Sequence, residues 1–142
     1  QTVPMPWGRQ ALTANCNWCL TDYTLDGGAL AYVPGSHRLN AKPAAADAGR
    51  AVAVEAEKGS VIVFHGATWH GAFPRKESGL RISIANYYRH VMVTSQEDLK
   101  NGFHQELADD CADPALFKEL AGFHDEFPYL SQSQPTPHVV EA

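Results

Sequence analysis

VIVFHGATWHGAF, residues 61–73, decides how the rest of the chain is read. Its first half alternates as a strand does: Val61 and Val63 share one side, Ile62 and Phe64 the other. Its second half holds two histidines, His65 and His70, beside Trp69. Glycines at 66 and 71 let backbone or ligand come close there. The histidines are five positions apart, an odd number, so they differ in strand parity. This stretch by itself leaves open whether either is a metal ligand or a packed imidazole.

Working outward, the neighbours are more short strands separated by turns. ALTANCNWCLTD (11–22) reads as a strand, LDGG (25–28) as a tight turn, and ALAYV (29–33) as a strand stopped by PGSH (34–37). Residues 38–50 are rich in Ala and polar residues and read as a surface loop with one helical turn at PAAADA. AVAVEAE, a turn at KGS, the 61–73 stretch, a turn at PRKESG and LRISIANYYRH follow. This spacing predicts an antiparallel sandwich or barrel. After residue 93 Leu, Glu, Lys and Ala recur at helical spacing, which predicts two short helices. Thr94 or Ser95 with Glu97 or Asp98 resembles an N-cap with acidic first-turn residues, and Asp113 with Pro114 resembles a second start. The expected organisation is a β region over 1–93, a helical extension over 94–130 and a polar tail over 131–142.

With 142 residues the chain is the size of one domain. Its formal net charge of −5 and scattered Lys and Arg argue against a nucleic-acid groove or an anionic membrane surface. No apolar run approaches the ~20 residues of a membrane span. No basic-then-apolar leader is present, so the expected compartment is cytoplasmic. Cys16, Cys19 and Cys111 are too few for a paired disulfide framework. CNWC has no second CxxC, and on a strand its two cysteines point to opposite faces, so both are expected to pack as small apolar residues.

Arg81 lies eleven residues past His70, flanked by Leu80 and Ile82. A guanidinium in an apolar strand needs a partner, because an unpaired buried charge is costly. A carboxylate ligand held by two parallel hydrogen bonds would serve, and so would a structural ion pair. Ser83 shares the face of Arg81 and could add a hydrogen bond to the same carboxylate.

DGGALAYVPGSHR, KGSVIVFHGATWHGAF and GLRISIANYY together resemble the C-terminal part of the phytanoyl-CoA dioxygenase family over about residues 1–93. The resemblance implies a non-haem Fe(II), 2-oxoglutarate-dependent oxygenase on a double-stranded β-helix (jelly roll). It implies His70 as the distal iron ligand, Arg81 as the clasp for the distal carboxylate of 2-oxoglutarate, and Ser83 beside it. The NCNW strand corresponds to one lining the site, with Trp18 or Asn17 facing it; Trp18 is taken as a cofactor-binding residue. Two histidines and one carboxylate leave three positions open on the iron, for 2-oxoglutarate and O2. Decarboxylation of 2-oxoglutarate to succinate then yields the oxidant that attacks a substrate C–H bond. The implied partners are O2 and a small molecule or acyl derivative, with no nucleic acid and no membrane.

The family also uses a His-x-Asp pair, which this sequence lacks. The expectation is a fold incomplete at its N-terminal side, the pair lying just upstream of Gln1. Such a fold would expose a sheet edge and an apolar face, open to a homo-oligomer or another partner chain. By itself the chain would then be inactive. A non-catalytic jelly-roll binding module that keeps the Arg81 site and a halogenase are the alternatives. His65 is expected to pack beside the site and His37 to orient its turn. His90, His104, His124 and His138 belong to no constellation.

Overall fold

The computed structural model describes residues 10–93, 95–99 and 105–123. By internal contacts the chain forms two compact units, Gln1–His90 and Val91–Ala142. The first holds β1 (Thr13–Cys19), β2 (Leu30–Tyr32), β3 (Val52–Val54), β4 (Val61–His65), β5 (His70–Ala72) and β6 (Ser83–Arg89). Two three-stranded antiparallel sheets result, ordered β4-β1-β6 and β3-β2-β5. Short 3-10 turns at Ser36–Arg38 and Ala45–Arg50 lie in the connection between β2 and β3.

Register sorts the side chains of the first sheet. Cys16 pairs with Val63 and Asn86, Asn17 with Ile62 and Ala85, and Cys19 with Ser83. Directly paired residues share a face. One face therefore carries Asn15, Asn17, Cys19, Ile62, Phe64, Ser83, Ala85 and Tyr87. It is the inner one, because Cys19, Ile62 and Phe64 pack with Tyr23, Ala29, Leu30, Ala53 and Val54 in one apolar cluster. The other carries Trp18, Val61, Val63, Ile84 and Tyr88, all exposed, Val63 to 66%. Ile62 and Phe64 thus face inward and Val61 and Val63 outward. Strands β4 and β6 are the sheet's outer strands among the described residues. Cys16 and Cys19 are both buried and free, on opposite faces.

The turns form where the sequence places glycine at positive φ: Gly28 at 80° and Gly35 at 74°. Gly66 is needed for a different reason. A Cβ there would sit 1.8 Å from Thr13 Oγ1 and 2.8 Å from Thr13 Cβ. We therefore expect Gly66→Ala to destabilise the β unit by about 1–3 kcal/mol through overpacking. An unchanged urea midpoint in this variant would contradict that close approach.

Two elements differ from expectation. The strand predicted to contain Arg81 begins at Ser83, so Arg81 lies in the irregular segment before it. Leu80 and Ile82, its supposed apolar flanks, are exposed. The reason is the hydrogen-bond pattern: the Ile82 amide donates to the Thr21 side chain and only its carbonyl reaches the neighbouring chain, at Leu20 N.

The second unit contains α1 (Gln105–Asp109) and α2 (Pro114–Leu120). Asp113 caps α2 by accepting from Leu116 N at 3.0 Å, with Pro114 following it at the helix start. The Ser95 hydroxyl donates to the Glu97 carbonyl. Thr94 and the expected tail over 131–142 lie outside the described residues. No helix among the described residues is long and apolar enough to cross a membrane.

Candidate functional site

The turn between β4 and β5 is tied at every amide. Gly66 N donates to Thr13 O, Ala67 N to His65 Nδ1, Thr68 N to His65 O and Trp69 N to Ser36 Oγ, all within 3.0 Å. His70 follows as the first residue of β5 and pairs with Tyr32. Its ring meets Phe64 edge-on at 4.8 Å, and Phe64 packs on the core cluster. His70 thus stands at the inner side of its sheet, yet its residue surface is exposed.

The two histidines of the turn carry their protons on different nitrogens. His70 Nδ1 lies 2.8 Å from the Thr68 carbonyl, which can only accept, so Nδ1 holds the hydrogen. Its Nε2 therefore presents a lone pair. A metal-bound histidine is oriented by this kind of Nδ1–H···O=C hydrogen bond. His65 is the reverse: Nδ1 accepts from Ala67 N–H, which leaves the hydrogen on Nε2 in the neutral ring. That lone pair is already used inside the turn. His37 stacks on His65 with ring centroids 5.1 Å apart.

Burial, with His37 adding to it, holds His65 below its ordinary value of 6.5. Below that value the unfolded chain binds the proton more readily than the folded one. Stability from this group is therefore full above about pH 6.5 and is lost as pH falls through the folded-state pKa. His65→Asn keeps an oxygen that can accept from the amide two residues on, and removes the titrating ring. We expect this variant to lose less stability than the parent between roughly pH 7 and 5. Equal acid sensitivity in denaturant melts would reject the assignment.

Arg81 packs against Tyr23. Its Nη1 donates to Tyr23 Oη at 2.6 Å, and its guanidinium carbon lies 4.7 Å from the Tyr23 ring centroid. Tyr23 is 1% exposed and belongs to the core cluster, so it is a fixed support. Among the described residues no carboxylate lies in salt-bridge range of Arg81, so the structural ion pair weighed from sequence is not the partner here. One aromatic hydroxyl uses one of five N–H donors. The remaining donors suit an anionic ligand, and Arg81 itself is half-buried. Its charge reaches Cys19, whose thiol is pushed up by burial with Arg81 opposing.

Ser83 lies on the inner face, opposite Cys19. Trp18 does not: it pairs with Val61 and Ile84 on the outer face and is 45% exposed. Trp18 thus faces away from the side of Cys19, Ile62 and Phe64, against its expected facing; of the two residues named from the sequence, Asn17 is the one on the inner face. Asn17 was one of two alternatives on a strand whose facing the sequence left open. Buried cysteines on both sides of the strand, Cys16 and Cys19, hid the parity. Asn15 and Tyr87 share the Asn17 face and had no sequence signal.

The side chains present suit a mononuclear metal with a bound carboxylate in part: one oriented imidazole and one guanidinium held on a buried aromatic. Among the described residues no group of three or more His, Cys, Asp or Glu could hold a metal ion. His104, His124 and His138 lie outside the described residues.

Comparison with known proteins gives the same frame. A family profile described as phytanoyl-CoA dioxygenase matches residues 2–83. Dioxygenase af480 of Aspergillus fumigatus is 34% identical over 70 residues, covering 48% of this chain and 22% of its own length. An uncharacterized protein of Mycobacterium tuberculosis, Rv1501, is 27% identical over 125 residues, 87% of this chain and 45% of its own. The chain therefore spans less than half the length of these relatives. Among solved structures, AviO1 from Streptomyces viridochromogenes Tue57 superimposes with a TM-score of 0.53 at 27% identity, over 67% of this chain and 47% of that one. The non-heme monooxygenase ThoJ gives 0.51 at 28%, over 61% and 36%. The alpha ketoglutarate dependent carbocyclase SnoK gives 0.51 at 22%, over 76% and 48%, a likeness of fold.

Proposed function

Because this chain belongs to the phytanoyl-CoA dioxygenase family, we propose that it forms the distal half of a non-haem Fe(II)/2-oxoglutarate-dependent dioxygenase site on a double-stranded β-helix. The reaction proposed is hydroxylation of a small molecule or acyl derivative. One observation carries the reading: His70 gives its Nδ1 hydrogen to the Thr68 carbonyl and keeps the Nε2 lone pair for a metal.

His70 would hold the iron, and Arg81 the distal carboxylate of 2-oxoglutarate, with Ser83 and Asn17 beside it. When bound, Fe(II) would activate O2, the oxidant, at the expense of 2-oxoglutarate, which is oxidised to succinate and CO2; the protein would supply orientation. Tyr23 holds the guanidinium of Arg81 from below, so that its planar fork meets the carboxylate without first having to order itself. Phe64 and the core cluster support the site from the apolar side.

The 142 residues contain no His-x-Asp pair. An Fe(II) site of this type takes three protein ligands. We therefore expect no succinate release from this chain alone, and the assay is made on the polypeptide as encoded, with whatever precedes Gln1 included. Anaerobic addition of Fe(II) and 2-oxoglutarate to that polypeptide should give the weak visible band of the chelate, followed in air by succinate. Metal-independent binding of 2-oxoglutarate, with no band and no succinate, would instead favour a non-catalytic binding module built on Arg81.

A further inference from the structure

Ser36, in the PGSH turn after β2, is used by none of this chemistry, yet its residue is 0% exposed. A hydroxyl so deep needs partners for both its donor and its acceptor. It has both: it donates to Val33 O at 2.7 Å and accepts from Trp69 N at 2.9 Å. Val33 N donates back to Trp69 O, and Trp69 Nε1 donates to Ala41 O. The chain from Val33 to Ala41 thus grips Trp69 through its amide, its carbonyl and its indole.

The consequence lies in one peptide unit. Trp69 N–H and the Thr68 carbonyl belong to the same planar amide and point in opposite directions. Holding the N–H fixes where the carbonyl points. That carbonyl is the acceptor for His70 Nδ1–H. The path Ser36 Oγ···H–N–C=O···H–Nδ1 therefore runs from a buried hydroxyl to the imidazole through a single rigid plate.

We propose that Ser36 is a positioning residue for His70: by holding the Thr68–Trp69 peptide it selects the Nδ1–H tautomer and aims Nε2 into the site. The metal consequence rests on the reading of His70 as a ligand; the tautomer consequence does not. In Ser36→Ala the Trp69 amide loses its acceptor, the peptide unit is free to tilt, and the carbonyl leaves His70 Nδ1.

The experiment is nitrogen-15 NMR of the histidine rings in the 142-residue chain, with amide hydrogen exchange at Trp69. In the parent, His70 is expected as the Nδ1–H form and His65 as the Nε2–H form. Ser36→Ala should give His70 a mixed population and speed exchange at Trp69 by about tenfold or more, the loss of one hydrogen bond. His65 should not change, because its partner is Ala67 within the turn. Ser36→Thr, which keeps the hydroxyl, should restore both signals. Ser36→Gly, which admits water to the Trp69 amide, is read the same way should Ser36→Ala not fold. An unchanged His70 tautomer in a folded variant that lacks the hydroxyl overturns the proposal, even with a lowered melting temperature. Nickel(II) binding to the polypeptide as encoded separates the two readings. A tautomer shift with about tenfold weaker metal binding supports both. A tautomer shift with unchanged binding supports Ser36 and rejects His70 as the ligand.

Discussion

Arg81→Ala should all but abolish 2-oxoglutarate binding in the polypeptide as encoded. The guanidinium has no carboxylate partner among the described residues and rests on the buried Tyr23. Truncating one member of a shielded, hydrogen-bonded charge pair costs about 2–5 kcal/mol, much of it from leaving the other charge unpaired. That corresponds to roughly 30-fold to several-thousand-fold weaker binding. Arg81→Lys keeps the charge but not the planar fork, so it should restore little. Tyr23→Phe makes the complementary test: it keeps the aromatic face and removes the hydroxyl that accepts from Nη1, so affinity should fall by a smaller step. Calorimetric titration with 2-oxoglutarate decides the matter. Unchanged affinity in a folded Arg81→Ala protein would remove Arg81 from the site.

His70→Ala should remove both the visible chelate band and succinate formation. The loss in metal affinity should exceed the ~10–100-fold typical of losing an outer-shell partner, because a ligand itself is gone. His65→Asn should keep the band, since the lone pair of His65 is already committed to Ala67 N–H. The reverse pattern would exchange the roles of the two histidines. Retention of the band in both variants would remove both histidines from the metal site and leave the iron to other ligands.

Strand existence, turn positions and the split of 61–64 into two faces could be read from the residues, because period-two alternation and turn glycines are local properties; which face is inner follows only from the packing of Ile62 and Phe64 on the core cluster. Asp113 and Pro114 as a helix start belong to the same class, since a cap acts within one turn. Parity by spacing does not separate His65 from His70, because a turn divides β4 from β5 and the two strands belong to different sheets.

What was not available involves pairs far apart in sequence. Trp18 and Asn17 are adjacent, and only the register of β1 against β4 and β6 shows that Asn17 is the inward one. The partner of Arg81, Tyr23, is 58 positions away and carries no pattern announcing it. The link from Ser36 to Trp69 spans 33 positions. Sequence by itself determined which residue types could bind a metal and a carboxylate and their eleven-residue spacing, but it placed Arg81 inside a strand, whereas β6 begins only at Ser83. Tertiary structure alone decided which nitrogen of each imidazole carries its hydrogen. That proton goes where an acceptor is held in place, and the acceptor for His70 is a backbone carbonyl whose direction is set by a hydroxyl on a different strand connection.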